Sequence, residues 1–159
     1  MSLFRDFVAT TVIPRQVSSH DCVDTGNNFN IIGGADPVKL TIDGAVRNKY
    51  NVRELFKNSN LKDTIVWSAM IAELNLKVSS ANNSIFKITI KIPHPTFGDI
   101  LVAEPEFLIF KSSTPQDIVY NKLLNQADDG DAHLYGFDFY VSCNNNATIT
   151  NRSIISAVF

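Results

Sequence analysis

Apolar side chains recur at every second position along three stretches of this chain: Val38, Leu40 and Ile42; Phe86, Ile88, Ile90 and Ile92; and Phe137, Phe139 and Val141. Successive strand residues point to opposite faces, so a period of two marks a strand with one face against a core. A fourth alternation, Ala72, Leu74, Leu76 and Val78, runs into the polar segment 79–84 (SSANNS). Paired with residues 86–92, it makes the clearest hairpin in the sequence, two long strands whose register is set by the buried face. Gly33-Gly34-Ala35-Asp36-Pro37, Pro93-His94-Pro95 and Asp128-Asp129-Gly130-Asp131 supply turn chemistry at intervals that suit an antiparallel sandwich or barrel. This spacing, with Asn-rich turns, predicts an all-β fold of two packed antiparallel sheets.

Two segments also fit a helix. In residues 64–76, Ile65, Ala69 and Ala72, with Val66, Met70 and Glu73, fall at helical spacing, so a helix stays open there beside the preferred strand. Residues 117–126 form the second candidate, with Ile118 and Leu124 flanking Tyr120 and the acidic turn at 128–131 as a stop. The expected fold therefore allows one short helix.

With 159 residues the chain has the length of one domain, long enough to bury about two thirds of its unfolded surface without a disulfide or metal. No repeat or linker divides it. Residues 1–25 read as an N-terminal arm, closed by the turn residues Asp24, Thr25, Gly26 and Asn27, and residues 26–159 as the sandwich domain. The start, with one basic residue before a short apolar stretch broken by Thr10, Thr11 and Pro14, is expected to be neither a signal peptide nor a membrane span. Fourteen Lys and Arg against sixteen Asp and Glu leave a net charge of -2, which provides no cationic field for nucleic acid or an anionic membrane.

The chemistry-bearing residues are scattered. His20, His94 and His133 are isolated, with no ligand spacing between any pair, and read as surface or strand-end histidines. Cys22 and Cys143 lie near opposite ends without CxxC spacing and read as free thiols. The acidic turn at 128–131 lacks the ligand layout of a calcium-binding hand, and Gly33-Gly34 is not followed by the Lys and Ser/Thr of a phosphate cradle. Asn82, Asn146 and Asn151 begin glycosylation-type triplets, but in a chain this rich in Asn, Ser and Thr such triplets arise by chance. The aromatic run Tyr135, Phe137, Phe139 has no Lys or Arg between residues 132 and 143, which favours a core or a subunit contact over base stacking. Trp67, among Val66, Ala69 and Met70, reads as core. The expectation is a protein with no enzymatic activity, cofactor or metal.

Its surface suggests association. Charged residues make up 19% of the chain, below the roughly 25% usual for a soluble domain, and Asn, Ser and Thr fill the polar positions. The last segment, ATITNRSIISAVF, is apolar on both parities, with Ile149 and Ile155 on one and Ile154 and Val158 on the other. Such a strand belongs in the middle of a sheet, one face in the core and the other against a neighbour.

The C-terminal run GFDFYVSCNNNATITNRSIISAVF resembles the closing hairpin of tumour-necrosis-factor-like trimeric jelly rolls, which also serve as head-decoration and fibre domains of tailed bacteriophages. The resemblance extends in pattern over residues 26–159 and in detail over the last 24. It implies a jelly-roll-like sandwich, a homotrimer, and a structural or adhesive role in a larger protein assembly such as a capsid, located in the virion after assembly in a host cytoplasm. On that reading Tyr135, Phe137, Phe139, Ile155 and Phe159 form the oligomer interface, and Leu3, Phe4, Phe7 and Val8 dock the arm on the assembly. A carbohydrate-binding sandwich is the alternative; an aromatic residue in a turn would favour it.

Overall fold

The computed structural model describes residues 18–24, 27–41, 69–125 and 138–158, and every element among them is a strand. In chain order these are β1 (Ser18–Asp24), β2 (Phe29–Ile31), β3 (Val38–Lys39), β4 (Ala69–Ser80), β5 (Ser84–His94), β6 (Gly98–Ala103), β7 (Glu106–Ile109), β8 (Ser112–Asn125), β9 (Asp138–Cys143) and β10 (Ala147–Val158). All pairings are antiparallel. Sheet A has the order β1-β10-β4-β8, with β2 also paired to β10; sheet B has the order β3-β9-β5-β6, with β7 also paired to β5.

The two extra strands are continuations of their neighbours. β4 holds one margin of β10, so β1 and β2 share the other, β1 along residues 152–158 and β2 along residues 147–149. Likewise β6 and β7 share one margin of β5, separated at Glu104 and Pro105. Proline has no N–H to give, but its carbonyl accepts from Ile88 N–H at 3.0 Å and carries the ladder across the break. Each sheet thus has four strand positions, and the chain visits them in the order of a jelly roll, with the first strand beside the last and each sheet drawing on both halves of the sequence.

The core between the sheets takes Leu74, Leu76, Val78, Ile118, Ile149 and Ile154 from sheet A and Phe86, Ile88, Ile90, Phe139, Val141 and Cys143 from sheet B. The clearest expected hairpin is corrected here. β4 and β5 both alternate as read, but they lie in different sheets, so residues 81–83 form a corner and not a hairpin turn. The reason is that both buried faces are wide and apolar; set face to face they cover each other, whereas side by side both would still need a cover. Ser80 Oγ and Ser84 Oγ, 2.9 Å apart and both buried, tie the corner.

The helix candidate at 117–126 is also overturned, because Ser112–Asn125 is a strand. β4 offers it an unbroken run of partners from Ala69↔Asn125 to Val78↔Gln116, and the ladder outweighs local helical spacing. Of residues 64–76, Ala69 onward is strand, and the earlier part, with Trp67, lies outside the described residues. Within the range read as an arm, Ser18–Asp24 is an edge strand of sheet A, while residues 1–17 lie outside the described residues.

β10 is central in sheet A, but its two parities do not stay on two faces. A register shift between Ile149 and Asn151 inserts Thr150 as an extra residue. Parity reverses there, so Ile149 and Ile154 both enter the core, at 0% and 6% exposure, and Ile155 is left outside at 41%. Arg152 enters too: its Nε donates to Thr41 O at 2.5 Å and its Nη1 to Asn27 O at 2.7 Å, and its guanidinium stands over the Phe29 ring at 5.4 Å. Arg152 thereby ties the C-terminal strand to the segments around β2 and β3.

Candidate functional site

Three surfaces could carry function: one end of the sandwich, the outer face of sheet B and the outer face of sheet A. At the end, four turns meet. Gly33 N–H donates to Asn146 Oδ1 at 2.8 Å, Ile85 N–H to Asn144 Oδ1 at 2.8 Å, and Lys111 N–H to Asn83 Oδ1 at 2.8 Å. Asn145 Nδ2 reaches Asn83 O and Ser84 Oγ, each at 3.2 Å. The Asn-rich turns are therefore spent on one another, short amide side chains satisfying backbone groups that the corners leave open. Beside this network lies an open cleft of about 910 Å³, where Asn30, Ser79, Ser113, Thr148 and Lys111 set hydroxyl, amide and ammonium groups next to exposed Ile32.

The outer face of sheet B sets pairs of opposite charges around the exposed apolar residues Ile85, Leu101 and Leu108. Lys39 Nζ lies 2.8 Å from Asp138, Lys87 Nζ 3.1 Å from Glu106 and Lys91 Nζ 3.8 Å from Asp99, with Lys91 also 5.0 Å over the Tyr140 ring. The hydrogen bond to Glu106, then the charges of Glu106 and Glu104, hold the Lys87 ammonium above the usual lysine range. Each of these three lysines is answered inside the chain.

The outer face of sheet A differs in kind. On β4 it carries Glu73, Asn75 and Lys77; on β8 Asp117, Val119, Asn121 and Leu123; on β10 Asn151, Ser153 and Ile155, as the pairings Lys77↔Asp117, Asn75↔Val119 and Ile155↔Glu73 require. Lys77 and Asp117 neutralise each other at 3.0 Å, and Asn75 Nδ2 donates to Glu73 at 2.8 Å. Besides the Glu73 carboxylate, what remains is amide, hydroxyl and apolar, with Val119 at 53%, Leu123 at 62% and Ile155 at 41% exposure. Asn151 Oδ1 is shielded from solvent without a hydrogen-bond partner, which costs about 1–3 kcal/mol while unmet. It borders a hollow of about 360 Å³ between β4, β8 and β10.

Of the residues singled out for an interface, Ile155 lies on this face, whereas Phe139 points into the core at 3% exposure. Tyr135, Phe137, Phe159, and the arm residues Leu3, Phe4, Phe7 and Val8 lie outside the described residues, as do His133 and the acidic turn at 128–131. His94 closes the β5–β6 turn: its Nδ1 accepts from Thr96 N–H at 3.0 Å and Phe97 N–H at 3.1 Å. Cys143 is free and buried. Among the described residues no group of three or more His, Cys, Asp or Glu is placed to hold a metal ion, and no helix is long and apolar enough to cross a membrane.

Sequence reading missed Val119 and Leu123, because the helix assignment hid that they share a parity opposite to Ile118. It also missed Phe97, 78% exposed at the hairpin tip with its ring 4.6 Å from that of His94, although Pro95-Thr96-Phe97-Gly98 is legible as an aromatic in a turn.

Neither a protein-family model nor a curated protein matches the sequence. Among solved structures the chain is similar to one described as the crystal structure of decameric BFDV capsid protein, at 9% identity, with 89% of this chain and 96% of that chain covered and a TM-score of 0.33. At that score the likeness bears on neither partner nor activity. Beyond the jelly-roll order itself, the resemblance to tumour-necrosis-factor-like trimers rests on the C-terminal residues that suggested it.

Proposed function

We propose that this protein is a non-enzymatic structural subunit of a virion, a jelly-roll capsid, decoration or fibre-type protein that assembles with copies of itself and, through its N-terminal segment, with a larger shell. The observation that carries the reading, among the described residues, is the apolar exposure of both outer faces, Ile85, Leu101 and Leu108 among three ion pairs on sheet B, and Val119, Leu123 and Ile155 among amides with a single ion pair on sheet A. Jelly rolls serve widely as viral coat domains, and the closed strand order fits that use. The C-terminal resemblance favours a homotrimer. Sedimentation of the purified chain over a range of concentrations tests the proposal: a discrete oligomer at micromolar concentration is expected, and a monomer throughout would defeat it.

A carbohydrate-binding sandwich is the second reading. Phe97, exposed in a turn beside His94, and the hydroxyl- and amide-lined cleft next to Lys111 favour it. A glycan array separates the two: binding lost on Phe97→Ala would install this reading in place of the first.

A further inference from the structure

We infer that the outer face of sheet A is the seat of a second copy of this chain. The inference rests on the self-association proposed above, with a two-fold pair in place of the threefold contact, and goes beyond it by naming which face is covered and by what. Four strand positions at about 4.8 Å spacing and strands of 12 residues at about 3.3 Å each give a face of roughly 760 Å², close to the roughly 800 Å² that one partner contributes to a stable interface.

Charge and chemistry select a like copy. A face whose cross-strand ion pair is internal, Lys77 with Asp117, brings only the Glu73 carboxylate as a like charge against its own image. Asparagine both donates and accepts, so Asn75, Asn121 and Asn151 complement the same residues of a copy, as a two-fold contact requires. The hollow bordered by Asn151 receives an amide or hydroxyl donor, which would satisfy the shielded Oδ1, while Val119, Leu123 and Ile155 bury against their counterparts. Sheet B also exposes Ile85, Leu101 and Leu108, but covering it would desolvate three ion pairs where, among the described residues, sheet A has one.

The test compares full-length Val119→Lys and Leu123→Lys with Leu108→Lys on the outer face of sheet B, following sedimentation and the denaturant midpoint of each. A lysine at the centre of an apolar contact should weaken self-association about 100-fold or more, whereas Leu108→Lys should leave it within about twofold. Val119→Thr, close in volume and able to stay folded in a strand, covers the case in which a lysine variant unfolds, and should weaken association about tenfold. Association unchanged in folded sheet A variants, or lost only in Leu108→Lys, overturns the inference and leaves the assembly reading in place. An unaltered chain that stays monomeric removes both.

Discussion

At the scale of single residues, the tightest constraint lies where the β2–β3 turn meets the β9–β10 turn. A Cβ on Gly33 would lie 2.6 Å from the Asn145 carbonyl carbon and 2.7 Å from Asn146 N, backbone atoms that cannot rotate away. Gly34 has open space around it but φ +73°, so its demand is conformational. Gly33→Ala should therefore cost about 1–3 kcal/mol and Gly34→Ala about 1 kcal/mol, read as shifts of the urea midpoint. Equal losses, or a larger one at Gly34, would mean that the turns do not press on each other. Two titrating side chains set a second expectation. Burial holds the Tyr120 hydroxyl above its ordinary range, and Glu106 does the same for the Lys87 ammonium. In both the folded chain keeps its proton after the unfolded chain has lost it, so their stabilisation is complete below about pH 10 and falls away as pH rises further. The unfolding midpoint should be flat from neutral pH to about 10 and then drop, and Tyr120→Phe should soften the drop. A midpoint that climbs above pH 10 would reverse the assignment.

At the scale of elements, the first and last described strands pair side by side in sheet A, and truncation reads that directly. Removing residues 157–159 takes away the rungs Ala157↔Ile71 and Val158↔Met70 on one margin of β10 and Ala157↔Ser19 and Val158↔Ser18 on the other. A loss of about 2 kcal/mol or more is expected from the backbone bonds alone, measured as the unfolding midpoint; an unchanged midpoint would show that the end of β10 bears no weight. At the opposite terminus the cut site decides the outcome. Deleting residues 1–17 spares β1, whereas deleting residues 1–24 strips the edge of β10 from Arg152 to Val158, so the longer deletion should destabilise the fold by more than the shorter. Equal midpoints for the two truncations would contradict the strand pairing. Alternation made most of these strands legible: Phe86, Ile88 and Ile90 are buried to 0% exposure, as their period demanded. It could not say which alternating strands share a sheet, because period two is the same whether two faces lie side by side, as in a hairpin, or opposite, as in β4 and β5. It also could not see Thr150, since one inserted residue reverses parity without leaving a mark in composition. Val119 and Leu123 were hidden for a related reason: in β8 helical and strand spacings overlap, and only the partner strand β4 decides between them.

At the scale of the whole molecule, the two outer faces make opposite forecasts about salt. Contacts through sheet B would set three lysine–carboxylate pairs against a partner beside Ile85, Leu101 and Leu108, and added salt screens such charges within a few ångströms. Contacts through sheet A would run through Val119, Leu123, Ile155 and the asparagines beside them, groups whose burial salt does not weaken and whose apolar part excluded salts such as sulfate strengthen. If sheet A is the associating face, the oligomer should therefore hold from low ionic strength to about 1 M sodium chloride, where the screening length is about 3 Å, and should tighten in sodium sulfate. The same runs at both ends of the salt range, with mass followed by sedimentation at fixed protein concentration, distinguish the faces without any substitution. Dissociation that grows steadily with chloride would locate the contact in the charged lattice of sheet B, and the apolar stripe on sheet A would then need an occupant other than a copy of this chain.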